Sequence, residues 1–425
     1  MTESVILKEY EEKELNSCDL DKLHYYLECQ KLDSALKITR VGVKARSWVG
    51  VIKYKKLQIQ ILPKLIYTEE YKTDYTEDKK NEVQANILKN LMFMLSYTKK
   101  LDIKTSNYSK LATSKNPFLE VLIRKYAKSL CDCLKRLTPK NYLRVEDNLN
   151  FIKGKIKFSE NIRHNCSNMA KFYCEFDEYS EDNILNRLFL FVSTCLYNIS
   201  NDSNNKKMLK FIMNYFSDIK FVRFDRFKAD KIKLSKNQEM FKKPFNYAKM
   251  FIENSSVDLS KNRVENITLL WDMNKLFEEF ICEIMKKYSA EYKYKIEQQR
   301  GRRLLIGDIG KRRNTYVDVL ITKDDDTKIV LDTKYKKFNE IKDFSNADVF
   351  QVSTYCLLHN TDHAILLYPQ WSDIKPDKTF YLNNDDYENK KYQIDFRTID
   401  LRYDNIKDNL NNIKKSIAEI LDIKK

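Results

Sequence analysis

Apolar and polar positions alternate in the first part of the chain, residues 1–75. Between Trp48 and Pro63, two alternating apolar runs flank a polar Lys-Tyr-Lys-Lys turn, and this pattern predicts a β-hairpin. A stretch rich in Lys, Glu and Asp follows from Thr68 to Asn81, as is typical of a solvated linker. We therefore predict a β-rich N-terminal module.

The spacing of apolar residues becomes helical from about residue 82. The clearest example is a set that recurs on one helix face: Ile87, Leu88, Leu91, Met92 and Leu95. Helical spacing returns over Asp182–Asp218, after a mixed stretch in which Gly154 interrupts a predicted strand. The pattern predicts a mostly helical middle domain over residues 82–260.

Residues 261–402 alternate between helical spacing and apolar runs of strand length. Arg263–Lys287 has the pattern of a long amphipathic helix. The elements predicted after it are strands at Tyr292–Gln298, Tyr316–Thr322 and Lys328–Tyr335, a helix at Asn346–His359 and a strand at Ala364–Tyr368. This order predicts a C-terminal α/β domain, followed by a helical tail over residues 403–425. The whole chain is thus predicted to be an α+β multidomain protein.

Composition adds expectations about partners and location. The formal net charge of +16 favours a polyanionic partner such as DNA, although an AT-rich genome would also enrich lysine. The nine cysteines lack the spacing of a zinc site or a disulfide framework, as expected in a reducing cytoplasm. The sequence has no apolar leader and no run near the roughly 20 apolar residues that a membrane span needs. We expect a cytoplasmic protein without membrane contact.

Charged residues inside apolar strands supply the candidate chemistry. Asp318 lies in Tyr-Val-Asp-Val-Leu, and Asp332 and Lys334 lie in Val-Leu-Asp-Thr-Lys-Tyr. Because side chains alternate along a strand, Asp332 and Lys334 share one face, and a hairpin can bring Asp318 beside them. Two convergent carboxylates suit Mg²⁺, with Mn²⁺ as the alternative, and a neighbouring lysine suits phosphodiester hydrolysis. A solvated Asp–Lys pair on an edge strand is the simpler alternative.

The predicted order of elements around this motif is that of the PD-(D/E)xK nucleases. In that class a carboxylate on the preceding helix often completes the metal shell, and we favour Glu278 over its neighbour Glu279. Gln351 and Tyr355 are one helical turn apart and share a face. From there they could reach the scissile phosphate or fix a metal-bound water.

Longer segments resemble the McrC family, the nuclease partners of AAA+ motors in modification-dependent restriction. The resemblance lies in Val49–Ile52, Ile59–Lys64, Phe172–Arg187, Asp272–Phe280, Asp318, Asp332–Lys334 and Gln351–Tyr355. These segments fall in the family's order and span nearly the whole chain. The family's first acid usually follows proline, whereas Val317 precedes Asp318 here, and nearby Asp308 competes for the same role.

The resemblance implies the Mg²⁺-dependent endonuclease subunit of an McrBC-like anti-phage restriction system. Its expected partners are double-stranded DNA and a hexameric, McrB-like AAA+ NTPase ring, which it would stimulate. The residues expected at the site are Asp318, Asp332, Lys334, Glu278, Gln351 and Tyr355, of which Asp318, Asp332 and Glu278 would hold the metal. Residues 1–75 would dock on the ring, and residues 261–402 would cut. The alternatives are a non-catalytic adaptor that activates a motor and a stand-alone DNA nuclease.

Overall fold

The structure is a computed structural model that describes most of the chain. The described residues are 3–30, 32–54, 57–64, 77–98, 117–256, 266–289, 294–306, 312–338, 340, 343–370, 376–382, 392–401 and 410–421. The chain divides into two compact units. Met1–Phe118 and Leu269–Lys425 form the first unit, and Leu119–Thr268 form the second.

The N-terminal part of the first unit combines short strands with two helices. Its elements are β1 (Glu3–Lys8), β2 (Glu12–Glu14), α1 (Ser17–Gln30), β3 (Leu36–Ile38), β4 (Gly42–Ala45), β5 (Trp48–Tyr54), β6 (Leu57–Leu62) and α2 (Glu77–Tyr97). β5 and β6 form the antiparallel hairpin that the alternating pattern predicts, and β1 adds to β6 in parallel. β2, β4 and β3 form a smaller sheet. Residues 77–81 of the predicted linker belong to α2.

The hairpin of β5 and β6 is buried on both faces. Even Gln58 and Gln60 on β6 are only 1% and 2% exposed. β5 lies close to a later strand at Gly50, whose φ is +137° and where an added Cβ would come within 1.9 Å of the Leu269 carbonyl oxygen. The apolar residues of the hairpin therefore belong to the core. Lys55 and Lys56 of the predicted turn lie outside the described residues.

The second unit is mostly helical, with one small sheet. Its elements are α3 (Pro117–Leu134), β7 (Asn141–Leu149), β8 (Lys155–Ile156), α4 (Phe158–Asn165), β9 (Phe172–Ser180), α5 (Ile184–Ile199), α6 (Ser203–Tyr215), α7 (Arg226–Asp230), a 3-10 helix (Lys236–Phe241), α8 (Lys242–Glu253) and β10 (Ser255–Ser256). β9 pairs with β7 and β8 in antiparallel fashion. α5, the most apolar of these helices, begins where the Asn183 side chain accepts the backbone N–H groups of Leu185 and Asn186.

The C-terminal part of the first unit is built on a six-stranded sheet, in the order β12-β13-β14-β15-β17-β16. The elements are β11 (Asn266–Asp272), α9 (Met273–Ser289), β12 (Lys295–Ile306), β13 (Arg312–Thr322), β14 (Lys328–Thr333), α10 (Asn346–His359), β15 (His363–Pro369), β16 (Lys378–Tyr381), β17 (Gln393–Ile399) and α11 (Leu410–Ile420). β14, β15 and β17 are parallel, and antiparallel strands flank them on both sides.

Helix α10 covers one face of this sheet. It begins at Ser345, whose hydroxyl accepts the Ala347 N–H, and it ends at Asn360 in the left-handed conformation. Val352 and Tyr355 of the helix pack with Val330 of β14 in a buried apolar cluster. Among the described helices, none is long and apolar enough to span a membrane.

The N-terminal and C-terminal parts of the first unit share their interior. The Tyr335 hydroxyl donates to Glu9 Oε2 at 2.8 Å, and the Met273 N–H donates to the Ser47 carbonyl at 2.8 Å. α2 also packs against α9. The predicted boundaries near residues 75 and 261 differ from this division, because sequence patterns show local elements and not contacts between distant segments.

Candidate active site

The two predicted aspartates lie side by side on neighbouring strands, with Asp318 in the middle of β13 and Asp332 near the end of β14. The antiparallel register joins Val319 of β13 to Leu331 of β14. Asp318, one residue before Val319, therefore lies beside Asp332, one residue after Leu331. Asp318 Oδ2 accepts the backbone N–H of Thr333 at 2.9 Å and the Thr333 hydroxyl at 2.8 Å. These two hydrogen bonds fix Asp318 against the end of β14.

Lys334 connects Asp332 to helix α10. Its Nζ lies 2.6 Å from Asp332 Oδ2 and donates to Gln351 Oε1 at 2.8 Å. The Gln351 side-chain amide in turn donates to the Tyr355 hydroxyl at 2.7 Å. Four of the predicted site residues therefore form one continuous chain of polar contacts.

Asp348 is a further acid near this lysine, and it lies in the first turn of α10. Its Oδ1 is 3.8 Å from Lys334 Nζ, and its Oδ2 pairs with Lys336. Burial opposes the charge of Lys334, but Asp332 and then Asp348 outweigh it and raise the pKa of the ammonium group. Lys334 is therefore held as a cation.

Asp332 is a buried acid with a raised pKa. The residue is only 1% exposed. Burial, reinforced by the charge of Asp318, raises the pKa of Asp332 to about 6, although Lys334 acts in the opposite direction. A carboxylate in this position is costly unless cations compensate it.

Glu278 brings a third carboxylate from α9. Burial and then the charge of Asp318 raise its pKa to about 7, with a smaller contribution from Asp332. Gln299 on β12 donates to Glu278 Oε1. The charges of both aspartates thus act on Glu278. Asp308, the competitor of Asp318, lies outside the described residues.

A family model matches most of the chain and shows to which protein family it belongs. The model describes the McrBC 5-methylcytosine restriction system component and matches residues 43–369. The chain belongs to this family. The resemblance to McrC in the sequence segments is thereby confirmed at the level of the McrBC family.

Two solved structures of the McrBC system are similar to the chain. One is a half-complex from a tetradecameric assembly of Thermococcus gammatolerans McrB AAA+ hexamers with bound McrC, with a TM-score of 0.76 at 21% identity, covering 98% of this chain and 100% of that chain. The other is the Thermococcus gammatolerans McrBC complex, with a TM-score of 0.55 at 24% identity, covering 68% and 89%. These likenesses concern the fold. No curated protein matches the sequence.

The carboxylates of this McrBC-family chain fit a hard divalent cation that keeps part of its water shell. Within the described part of the chain, no three Asp, Glu, His or Cys side chains converge closely enough to bind a metal by themselves. Mg²⁺ commonly takes only one or two protein carboxylates and completes its shell with water and substrate phosphate oxygens. Asp318 and Asp332 supply such a pair, and their mutual repulsion is what a cation would relieve.

Three contacts of the site are absent from the sequence-based set. Asp348 precedes Gln351 by three residues on one helix, so helical spacing could have suggested it. Thr333 lies between the motif residues Asp332 and Lys334, yet its bonds to Asp318 depend on the strand pairing. Gln299 comes from a different strand, and no local pattern links it to Glu278.

Proposed function

We propose that this McrBC-family chain is a Mg²⁺-dependent DNA endonuclease whose cleavage site is formed by Asp318, Asp332 and Lys334. The observation that carries the proposal is the pairing of Asp332, almost fully buried, with Lys334 at 2.6 Å, directly beside Asp318. A solvated surface pair would not need this burial. The arrangement instead keeps two acids and a cation together where water is scarce.

Each residue has a separate task in the proposed reaction. When bound, Mg²⁺ would lower the pKa of a water molecule and polarise the scissile phosphate. Asp318 and Asp332, with Glu278 as the third candidate, would hold that ion. Lys334 would place its positive charge beside the phosphoryl oxygens as negative charge develops on them. Gln351 orients Lys334 through its Oε1, and Tyr355 orients Gln351.

We also propose that the chain works with an AAA+ NTPase ring on double-stranded DNA. The support for this partner is the likeness to McrC bound to McrB hexamers. The buried hairpin of β5 and β6 does not offer an apolar docking face. Exposed apolar side chains of the second unit are candidates for this contact, because exposed apolar surface favours protein contacts. They include Phe151, Ile152, Phe158, Ile162 and Met169.

Cleavage by an Asp332→Asn variant tests the proposed activity. The variant keeps the side-chain size and removes a charge, so we expect a rate loss of at least about a hundredfold, or about 3 kcal/mol. Asp324→Asn, at an exposed position in the turn between β13 and β14, is the matched control and should cut normally. The assay follows duplex DNA cleavage by the full chain with its AAA+ partner.

NTP hydrolysis by the partner, measured in the same samples, separates a nuclease from an adaptor. We expect Asp332→Asn to stimulate the motor as well as the wild type does. Undiminished cleavage by this variant would show that the cutting site lies elsewhere. Motor stimulation without any cleavage by the wild type would favour the adaptor.

A further inference from the structure

A two-stranded ribbon projects from the sheet that carries the candidate site. It consists of residues 300–306 of β12 and 312–317 of β13, and we call it the basic arm. β14 pairs with β13 only at Val319–Thr322, so within the described structure the arm strands have only each other as partners. The outer edges of both arm strands thus lack a strand partner there, and Arg302, Arg303 and Leu304 are exposed.

The charge of the basic arm has one sign. Its described residues include five arginines and neither Asp nor Glu. Arg302 and Arg303 are exposed, and among the described residues neither forms an ion pair. Arg300 reaches back to Glu297 at 3.5 Å. A surface of clustered positive charge is a ready site for a polyanion.

A tyrosine lies flat on one face of the arm. Tyr316 is directly opposite Gly301, and a Cβ on Gly301 would come within 2.7 Å of Tyr316 Cε1. The glycine therefore leaves room for the ring to lie across the ribbon. Tyr316 remains 50% exposed, on the same face of the ribbon as Arg303.

The arm begins where the carboxylate site ends. Asp318 directly follows the arm residue Val317 on β13. On the opposite strand, Gln299 directly precedes Arg300 and donates to Glu278. A polymer that lies along the arm would therefore continue onto the candidate cleavage site.

We propose that the basic arm binds duplex DNA through its phosphates and holds it next to the cleavage site. This inference rests on the proposed function and adds the surface that holds the substrate. Arginines neutralise phosphates and fix the register of the duplex without reading its sequence. A two-stranded ribbon also has the dimensions to enter the major groove.

Salt-dependent DNA binding by the full-length chain tests the arm separately from cleavage. Fluorescence anisotropy with a short duplex, without divalent metal, compares the wild type with Arg302→Gln/Arg303→Gln. Two lost phosphate contacts should reduce the slope of log K against log salt by about 1.8, and should weaken binding at about 0.1 M salt by a factor of tens. Arg302→Lys/Arg303→Lys should retain most of the slope.

The matched control is Arg136→Gln/Arg226→Gln, which removes the same charge from exposed positions of the second unit. It should leave the slope nearly unchanged.

An unchanged slope in the arm variant, or an equal loss in the control, overturns the inference even if the wild type cuts DNA. If the arm variant binds DNA normally but no longer assembles with the AAA+ partner, the arm is a protein contact instead. If the arm variant loses slope but the wild type never cuts DNA, the proposed DNA-binding role of the arm stands and the proposed nuclease activity is wrong.

Discussion

Lys334 is the residue on which the geometry of the candidate site depends most directly. It contacts Asp332 and Gln351, and Asp332 is buried. We expect Lys334→Met to lower the free energy of unfolding by about 3 kcal/mol at a pH well above 6, because it leaves a buried carboxylate without its cation. Urea unfolding without divalent metal measures this loss.

The double variant Asp332→Asn/Lys334→Met is the control for that prediction. It removes both charges, so it should recover most of the stability lost by Lys334→Met. If Lys334→Met were as stable as the wild type, solvent and not Lys334 would compensate the negative charge of Asp332.

The buried acid Glu9, which is not part of the candidate site, should make the free energy of unfolding depend on pH. Burial raises its pKa to about 7 in the folded protein, against about 4.3 in an unfolded chain, although the Lys64 N–H and Tyr335 hydrogen bonds act in the opposite direction. The folded state therefore binds the proton more tightly. The contribution of Glu9 to the free energy of unfolding is complete below about pH 4 and is lost as the pH rises through about 7.

Glu9→Gln should remove this dependence, because the amide oxygen can still accept both hydrogen bonds. Relative to the variant, the wild type should lose on the order of 2 kcal/mol of unfolding free energy between about pH 5 and about pH 8. Chemical unfolding across that range measures the difference, with Glu12→Gln on exposed β2 as the control. Parallel stability curves for Glu9→Gln and the wild type would contradict the raised pKa.

Local patterns predicted many of the elements, but the helix predicted over Arg263–Lys287 was wrong at its start, because Asn266–Asp272 form strand β11 next to β5 and the helix begins only at Met273. The strand period and the turn at residues 324–326 place Asp318 beside Asp332, and both signals are local. The alternation in β5 and β6 predicted their pairing but not the burial of both faces. Gln58 and Gln60 look solvent-facing in the sequence, and only the neighbouring elements determine that they are covered.

The approach of β5 to Leu269 gives a prediction at the element scale. Gly50→Ala would place a methyl group against the Leu269 carbonyl oxygen at a positive φ, so both sterics and backbone strain oppose it. We expect a loss of about 2 kcal/mol or more in unfolding free energy, measured by thermal or urea unfolding. Lys37→Ala, at an exposed position on β3, should cost far less. Equal stability of Gly50→Ala and the wild type would mean that the two strands are not this close.

At the scale of the whole molecule, the first unit joins two ends of the chain that the sequence suggested were separate domains. The Glu9–Tyr335 hydrogen bond connects residues more than half the chain apart, and the packing of α2 on α9 also connects distant segments. No single-sequence pattern reports such contacts, so the division into compact units could not be predicted. The candidate site itself was found because its main residues lie on adjacent elements.

Deletion of residues 1–75 should therefore unfold the C-terminal sheet rather than leave an independent nuclease domain. The deletion removes Glu9 from Tyr335 and exposes apolar residues of the first unit. Limited proteolysis should show rapid cleavage within residues 269–425. A truncated chain with protease resistance equal to that of the wild type would contradict the contacts described for this unit.

Metal binding at the paired aspartates is the most direct test of the central claim. Mn²⁺ titration of the full-length chain, followed by electron paramagnetic resonance, counts bound ions without relying on cleavage. We expect Asp318→Asn and Asp332→Asn to weaken binding at least about tenfold, because each removes one of few carboxylate ligands, and Asp324→Asn to bind as the wild type does. Equal Mn²⁺ affinity in all four proteins would contradict the assignment of Asp318, Asp332 and Lys334 as a metal-dependent cleavage site.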